Sequence, residues 1–504
     1  MAGVPEDSSR IVECDVLIVG GSLVGLSAAA FLGHHGIEAC VVEKHPGTSI
    51  HPRAGYFHIG TMEAYRRVGL EPAILELSYQ QFGPDGGINL VESLAGRELA
   101  RFVPEINAGI DAYSPCKRFF MTQQALEPLL RRRAEELGAD LHYRTELIGF
   151  EQDASSVTGR VRDLDSGAGR EIRAKYMIAA DGNRSPIRHK LGIGTSGPGW
   201  LSDSITIYFK ADCSRWLEER PMGVIYVMNA DQRGFFRFEA DGKRGFLAVN
   251  TLGDLALPGA KNVAGDISPE RCIALVRSAI GVPDIPVEIE DVAVWKAEAL
   301  WANAYRKGRV FLAGDAAHVV PPTGGFGGNT GVQDAANLAW KLARVLKGEA
   351  DEALLDSYEA ERLPVAELTV GQAYTRYMRR VTPEDMDESV PELRDEVTME
   401  IGQFYRSHPD SGAVVDGRGE DELACLHPDK TRGRAGARVP HAWLPDGSST
   451  LDVAAKGLTW LLGPEAPSRE GVRLSADAAR QCGIGAAGAM LVRPDGFVAE
   501  VLSR

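Results

Sequence analysis

Two hydrophobic periods alternate along the chain. Near the N-terminus, "CDVLIVG" is a continuous apolar run closed by glycine, the pattern of a strand buried on both faces. "LVGLSAAAFLGHHG" follows with small and apolar residues at helical spacing, and "IEACVVEK" is a second buried strand closing on Glu43. "SPCKRFFMTQQALEPLLRRRAEELGADLHY" predicts a long amphipathic helix running into a strand. "REIRAKYMIAADGNRSPIRHKLGI" predicts a strand, a turn at Asp181–Gly182 and a helix start. From about residue 200 to 295 the period becomes two: "SDSITIYFKA", "MGVIYVMN", "RGFFRFEADG" and "GFLAVNTLGD" predict antiparallel strands. "KGRVFLAGDAAHVVPPTGGFGGNTGVQDAANLAWKL" returns to strand, glycine loop and a helix starting around Gly328–Asn329. Residues 350 to about 415 read as helical and charged, and "GRGEDELACLHPDKTRGRAGARVPH" reads as a linker. Short strand patterns, "LTWLLG" and "GAMLVRPDGFVAEV", close the chain.

Composition narrows the possibilities. A chain of 504 residues with 44% hydrophobic and 25% charged residues is ordinary globular protein, long enough for two or three domains. Acidic residues outnumber basic ones 70 to 55, and a net charge of −15 argues against nucleic acid or anionic membrane as the main partner. The seven cysteines show neither a Cys-x-x-Cys pair nor a zinc spacing, so reduced thiols and no metal site are expected. The polar start "MAGVPEDSSR" lacks a signal-peptide core, and no apolar run approaches the ~18 residues of a membrane span, so a cytoplasmic protein is expected.

The first turn, "GGSLVG", carries candidate chemistry. Gly20 and Gly25 occupy the outer glycine positions of a dinucleotide fingerprint, with Gly21, Ser22, Leu23 and Val24 between them, and Glu43 lies where a ribose acceptor is needed. A helix N-terminus under the turn favours a pyrophosphate. Ser22 stands where the middle glycine is expected; it keeps its backbone N–H and crowds the phosphate only slightly. The alternative is a βαβ unit that binds no nucleotide.

Three separated segments, "GGSLVG" with Glu43, "AADGNRSPIRHKLG" and "GDAAHVVPPTGGFGGNTGVQDAANLAWKL", occur in the order found in class A FAD-dependent aromatic hydroxylases. Together they resemble the para-hydroxybenzoate hydroxylase fold, and within it the hydroxylases of bacterial aromatic polyketide (angucycline and anthracycline) biosynthesis. The resemblance implies an α/β fold: a Rossmann-like FAD-binding domain formed by residues 1–195 and 296–415, an inserted antiparallel-sheet substrate domain at 196–295, and a shortened thioredoxin-like C-terminal domain at 416–504. It turns Ser22 into a tolerated variant within an FAD site.

The resemblance also implies site residues. Asp315 follows the buried strand "RVFLAG", where a carboxylate can accept from the ribityl chain of a flavin, and Pro322, Gly325, Gly328 and Asn329 belong to the loop that faces the flavin. Reduced flavin carries negative charge, which a helix N-terminus stabilises. Asp181, Gly182, Ser185 and Arg188 match the family's Asp-Gly motif; Arg53, Arg118 and Gln123 match positions contacting FAD, with Lys44 beside Glu43 and Leu147 as a contact to the adenosine also expected to bind the cofactor. The substrate pocket is implied between the 200–295 sheet and the flavin, with Tyr226, Phe238 and Asn250 as candidates for its wall. No catalytic base is identified; His318 reads as a packing or loop hydrogen-bonding residue rather than a base.

The implied activity is NAD(P)H-consuming hydroxylation of a phenolic, polycyclic or polyketide, aromatic substrate by O2 through a flavin C4a-hydroperoxide. FAD would be non-covalent, NADPH or NADH a transient reductant, and the protein a monomer or homodimer. Baeyer–Villiger insertion, epoxidation, antibiotic inactivation and a non-catalytic flavin-binding protein stay open. The Trp-x-Trp-x-Ile-Pro segment expected of a flavin-dependent halogenase is missing from the sequence.

Overall fold

The computed structural model describes residues 11–50, 55–82, 86–219, 222–251, 262–405, 407, 410, 424–455 and 457–502. Its first sheet runs Arg306–Lys307, Val310–Leu312, Gly169–Ala179, Ile11–Val19, Ala39–Val42, Asp140–His142. The first strand lies parallel to both of its neighbours. Val16, Leu17 and Ile18 are fully buried because the helix Leu23–His34 covers one face, Gly25 lying against Ile18, and the strands Thr145–Gln152 and Val157–Asp163 of the same sheet fold over the other, Gly159 lying against Leu17, which is why the run shows no alternation. The helix Leu23–His34 is apolar almost all round because it packs between the helices Gln123–Glu136 and Phe326–Leu346. The amphipathic run around residue 120 splits: Phe119–Phe120 is a short strand, and Thr122 caps the helix at Ala125 N–H.

The second sheet contains the four strands expected between 200 and 295: Thr195–Lys210, Met222–Met228, Arg233–Phe238 and Arg244–Asn250. It extends further, taking Gly87–Val91 and Glu98–Val103 on one edge and Glu288–Ala302 and His318–Val319 on the other. One face packs on the helix Pro269–Ile280 through Ile207, Phe236 and Leu247. The other face looks towards the glycine loops and the long helix Asp356–Arg380. A third, four-stranded sheet of Thr459–Leu462, Val472–Arg473, Ala489–Val492 and Val498–Leu502 closes the chain around Leu461, Met490 and Val492.

The stretch that reads as a linker is packed where it is described. Arg438 is buried and pairs with Glu63 of the helix Ile59–Arg67. Its composition looks solvated, yet a carboxylate 375 residues earlier in the chain compensates the charge.

Candidate functional site

The N-terminal glycine turn is shaped by contacts that admit no side chain. Gly20 has φ +109°, and a Cβ there would lie 2.2 Å from Ala180 O. A Cβ on Gly25 would lie 1.8 Å from Gly20 O, so the last glycine brings helix and strand together. Glu43 accepts the N–H groups of Gly21 (2.7 Å) and His45 (2.8 Å), with Lys44 exposed beside it. The helical ladder starts with Leu26 N–H on Ser22 O at 2.9 Å, so the N–H groups of Val24 and Gly25 lie outside it at the positive end of the helix.

Ser22 does more than tolerate its position. Its hydroxyl donates to Glu127 Oε1 and accepts from Gln123 Nε2 at 3.0 Å. Glu127, fully buried, also accepts Leu23 N–H (2.9 Å), the Gln123 amide (2.6 Å) and Ser49 N–H (2.6 Å). A carboxylate thus buttresses the turn from below. Gln123 acts through this cluster. Sequence reading missed Glu127; the available signal was a glutamate four residues after Gln123 on the core-facing stripe of an amphipathic helix.

Two more segments meet this turn. Asp181 lies against Gly20, its Oδ2 accepting Ile187 N–H at 3.2 Å and its buried Oδ1 unpartnered. Burial pushes its carboxyl up. Gly182 has φ +85°, Ser185 caps Arg188 N–H (3.0 Å), and the Arg188 guanidinium donates to Ala316 O (2.9 Å), tying this motif to the next loop. On that loop, a Cβ on Gly314 would sit 2.8 Å from Val24 Cγ2, and one on Gly331 would sit 2.6 Å from the same atom. Asp315 is exposed on the turn Gly314–Ala316.

The helix expected near Gly328–Asn329 starts earlier, at Phe326, because Gly325 takes φ +69° and ends the Pro322–Gly325 turn (Gly325 N–H to Pro322 O, 3.1 Å). The N–H groups of Phe326, Gly327 and Gly328 therefore lie at an unladdered N-terminus. Asn329 is fully engaged: Oδ1 accepts His58 N–H (2.9 Å) and the Thr61 hydroxyl (2.6 Å), and Nδ2 donates to Tyr56 O (2.9 Å) and Gly325 O (2.7 Å). Its side chain fastens the loop, leaving only its backbone to a ligand.

His58 supports the same loop, donating from Nε2 to Gly324 O at 3.0 Å. Burial lowers its pKa to about 3, so it is neutral. The folded state therefore binds fewer protons than the unfolded chain between pH 6.5 and about 3. Stability contributed by neutral His58 is present above pH 6.5 and is lost on acidification, at a slope of up to about 1.4 kcal/mol per pH unit. The expected result is a His58→Gln variant that loses less stability than the wild type between about pH 7 and pH 5 in urea titrations; parallel losses would remove His58 from the acid response.

His318 is a positioning residue. It is buried, with Nε2 bonded to Asp334 Oδ2 at 2.7 Å. Asp334 also accepts Gly314 N–H (3.1 Å) and Arg362 Nε (2.7 Å). Burial would raise the Asp334 carboxyl, but Arg362 and His318 outweigh it and hold the carboxyl below its usual range.

The remaining candidates are distributed differently. Arg118 is buried and donates from Nε to both oxygens of Glu400 (2.8 and 2.9 Å). Leu147 is half-buried at the edge of the first sheet, against Gly159. Arg53 lies outside the described residues. Tyr226 and Asn250 are on the inner face of the second sheet, where Tyr226 OH meets Arg380 Nη1 (3.2 Å) and Asn250 Oδ1 accepts from Ser204 (3.1 Å). Phe238 is on the opposite face, packed with Phe209 and Phe236, because side chains of a strand alternate. The fold also brings Cys40, Asp140 and His142 together, their donor atoms within 4.8 Å, a grouping that sequence spacing does not show. No helix among the described residues is long and apolar enough to cross a membrane.

Two helix N-termini, a ribose-height carboxylate and a seam of glycines fit an extended dinucleotide with a planar end group. Residues 13–373 match the family model described as FAD binding domain. The chain is 52% identical to a 4-methyl-5-nitrocatechol 5-monooxygenase of Burkholderia sp, over 98% of this chain and 95% of that protein. It is 36% identical to a tetracenomycin A2 monooxygenase-dioxygenase of Streptomyces glaucescens, over 97% and 93%. Among solved structures it is similar to aklavinone-11 hydroxylase in a ternary complex with FAD and aklavinone, with TM-score 0.88, 34% identity and coverage of 98% and 96%.

Proposed function

The chain belongs to the FAD binding domain family and is an FAD-dependent aromatic monooxygenase, and from that premise we propose which residues hold the cofactor and what the enzyme oxidises. The Gly20–Gly25 turn receives the pyrophosphate, Glu43 and Lys44 the ribose, and Asp315 the ribityl chain. The loop Pro322–Asn329 receives the pyrimidine end of the flavin on the backbone N–H groups of its helix. Arg53, Arg118, Gln123, Leu147 and Asp181 complete the cofactor shell, Arg118 and Gln123 through the carboxylates they pair with. The observation that carries this reading is that Gly20 lies against Ala180 while Gly314 and Gly331 lie against Val24, contacts that join the three segments into one cradle.

FAD held there would supply the redox and oxygen chemistry, with NADH or NADPH as the source of two electrons, one atom of O2 going to the ring and the other to water. The protein binds, orients and keeps the site dry. The substrate is a phenol lying between the Pro322–Gly325 loop and the inner face of the second sheet. Tyr226, Phe235 and Asn250 stand on that wall, and Arg380 orients the Tyr226 hydroxyl. The 52% identity to a nitrocatechol monooxygenase favours a single substituted ring over a polycyclic one. The FAD unit spans 1–195 and 296–415, the substrate unit 196–295 and the C-terminal unit 416–504; the enzyme acts in the cytoplasm as a monomer or homodimer.

Purified protein is expected to be yellow and to release its flavin on acid precipitation. It should consume NADH or NADPH faster with substituted catechols, with a product one oxygen heavier by mass spectrometry. A colourless protein that takes up no FAD, or reductant consumption that no phenol changes, would overturn this reading.

A further inference from the structure

On the inner face of the second sheet, Arg237 is a cation with no anion beside it among the described residues. On the strand Arg233–Phe238, Phe236 and Phe238 point into the outer core, so Phe235 and Arg237 point inwards. Arg237 is only 4% exposed. Its guanidinium carbon lies 3.9 Å from the Phe82 ring centroid and 4.2 Å from that of Phe120. Nη1 donates to Gly55 O, whereas Nε and Nη2 have no partner among the described residues. Burial lowers its pKa to about 9 with no neighbouring carboxylate acting against it, so the group is still a cation at neutral pH.

A buried charge is costly without a partner, and two aromatic faces compensate only part of the lost hydration. Two other buried arginines show the contrast: Arg118 has Glu400 and Arg362 has Asp334. The unpaired atoms are also informative. Nε–H and Nη2–H form one edge of the guanidinium plane, the edge that takes two oxygens side by side. The rings on either side fix that plane. Phe120 lies 5.0 Å from the Tyr56 ring, and Tyr56 abuts Gly325 of the flavin-facing loop, 3.1 Å from where its Cβ would be. The cation is therefore two aromatic rings, Phe120 and Tyr56, away from the loop of the proposed flavin site.

We propose that Arg237 is the anion-recognition residue of the substrate site, and that the substrate is an aromatic anion presenting two adjacent oxygens, such as the catecholate or nitro oxygens of a nitrocatechol or an aryl carboxylate. This inference rests on the monooxygenase reading and narrows its substrate class. Arg237 would draw negative charge to one end of the ring, keeping a phenol ionised and electron-rich for oxygen transfer. Phe82 and Phe120 would restrict its plane.

The test uses the holoenzyme and isothermal calorimetry, so binding is read without turnover. The probes are 4-nitrocatechol, ionised at about pH 8 and protonated at about pH 5, and 4-methylcatechol, which stays protonated at about pH 8 as simple phenols do. The wild type is expected to bind 4-nitrocatechol about tenfold or more tightly as the anion than as the neutral form, as charge-assisted hydrogen bonding implies. Arg237→Gln should weaken binding of the anion about 10- to 100-fold, leave 4-methylcatechol within about twofold and retain FAD. Arg237→Lys, which keeps charge but loses the fork, should fall between the two. If Arg237→Gln does not fold, the lysine variant and the wild-type charge preference decide. Equal losses for both probes, no wild-type preference for the anion, or loss of FAD with unchanged discrimination would each overturn the role of Arg237. A wild type that prefers the anion yet takes up no FAD and consumes no reductant would instead overturn the monooxygenase reading.

Discussion

Glu361→Gln is expected to destabilise the protein by about 3–5 kcal/mol, the range for removing one partner of a buried ion cluster. Glu361 is 4% exposed. Its carboxylate accepts from Arg493 on both oxygens (2.7 and 2.9 Å), from Lys341 Nζ (2.7 Å) and from Asn337 Nδ2 (2.8 Å). Asp495 completes the cluster by accepting from Arg493 and the Trp340 indole. The group ties the helix Phe326–Leu346, whose N-terminus opens on the proposed flavin site, to the C-terminal sheet. Glutamine would turn an amide donor towards two cations. Arg493 would keep Asp495, but Lys341 would lose the carboxylate that opposes its desolvation.

The deficit should shrink as pH rises. Burial already lowers the Lys341 pKa to about 8, against 10.5 for an ordinary lysine. Between those values the unfolded chain binds more protons than the folded one, so this group's contribution to stability increases with pH. Without Glu361 the folded pKa falls further, and the window extends towards neutrality. Guanidinium titrations at about pH 7 and pH 9 test this; a variant as stable as the wild type at both would show that the cluster holds nothing together.

Asp315→Ala is expected to weaken FAD binding about 5- to 150-fold, corresponding to about 1–3 kcal/mol for a hydrogen bond to a charged acceptor. Asp315 is exposed on a turn whose backbone is fixed by Gly314 against Val24 and by Asp334 at Gly314 N–H. A carboxylate on so rigid a support is oriented before the ligand arrives. The variant should unfold at the same denaturant concentration as the wild type when both are free of FAD. Equal FAD affinities by flavin fluorescence titration would remove Asp315 from the site.

The parts of the site legible in the sequence are those set by local backbone demands. Gly20, Gly25 and Gly314 are needed where chain segments approach too closely for a Cβ, and such needs recur as short motifs. The two-residue period between 200 and 295 marked the strands of the inner wall, but not which face looks inwards: Phe238 turned out to pack outwards and Arg237 inwards. Alternation gives two faces, and only the helix Pro269–Ile280, which covers one of them, distinguishes the two.

What the sequence determined by itself was the order of three glycine segments, the buried parallel strands that carry them, and hence the family and its cofactor. Each rests on residues adjacent in the chain, where steric limits and hydrophobic period act. The tertiary structure alone decided the charge partners. Glu127 lies 105 positions from the Ser22 it supports, Glu400 lies 282 from Arg118, and Asp334 joins His318 to Arg362. A buried charge is held by whichever opposite charge the fold brings within hydrogen-bond reach, and that choice leaves no period in the sequence. The same holds for Arg237, which has no such partner among the described residues, a fact only the packing of Phe82 and Phe120 around it reveals.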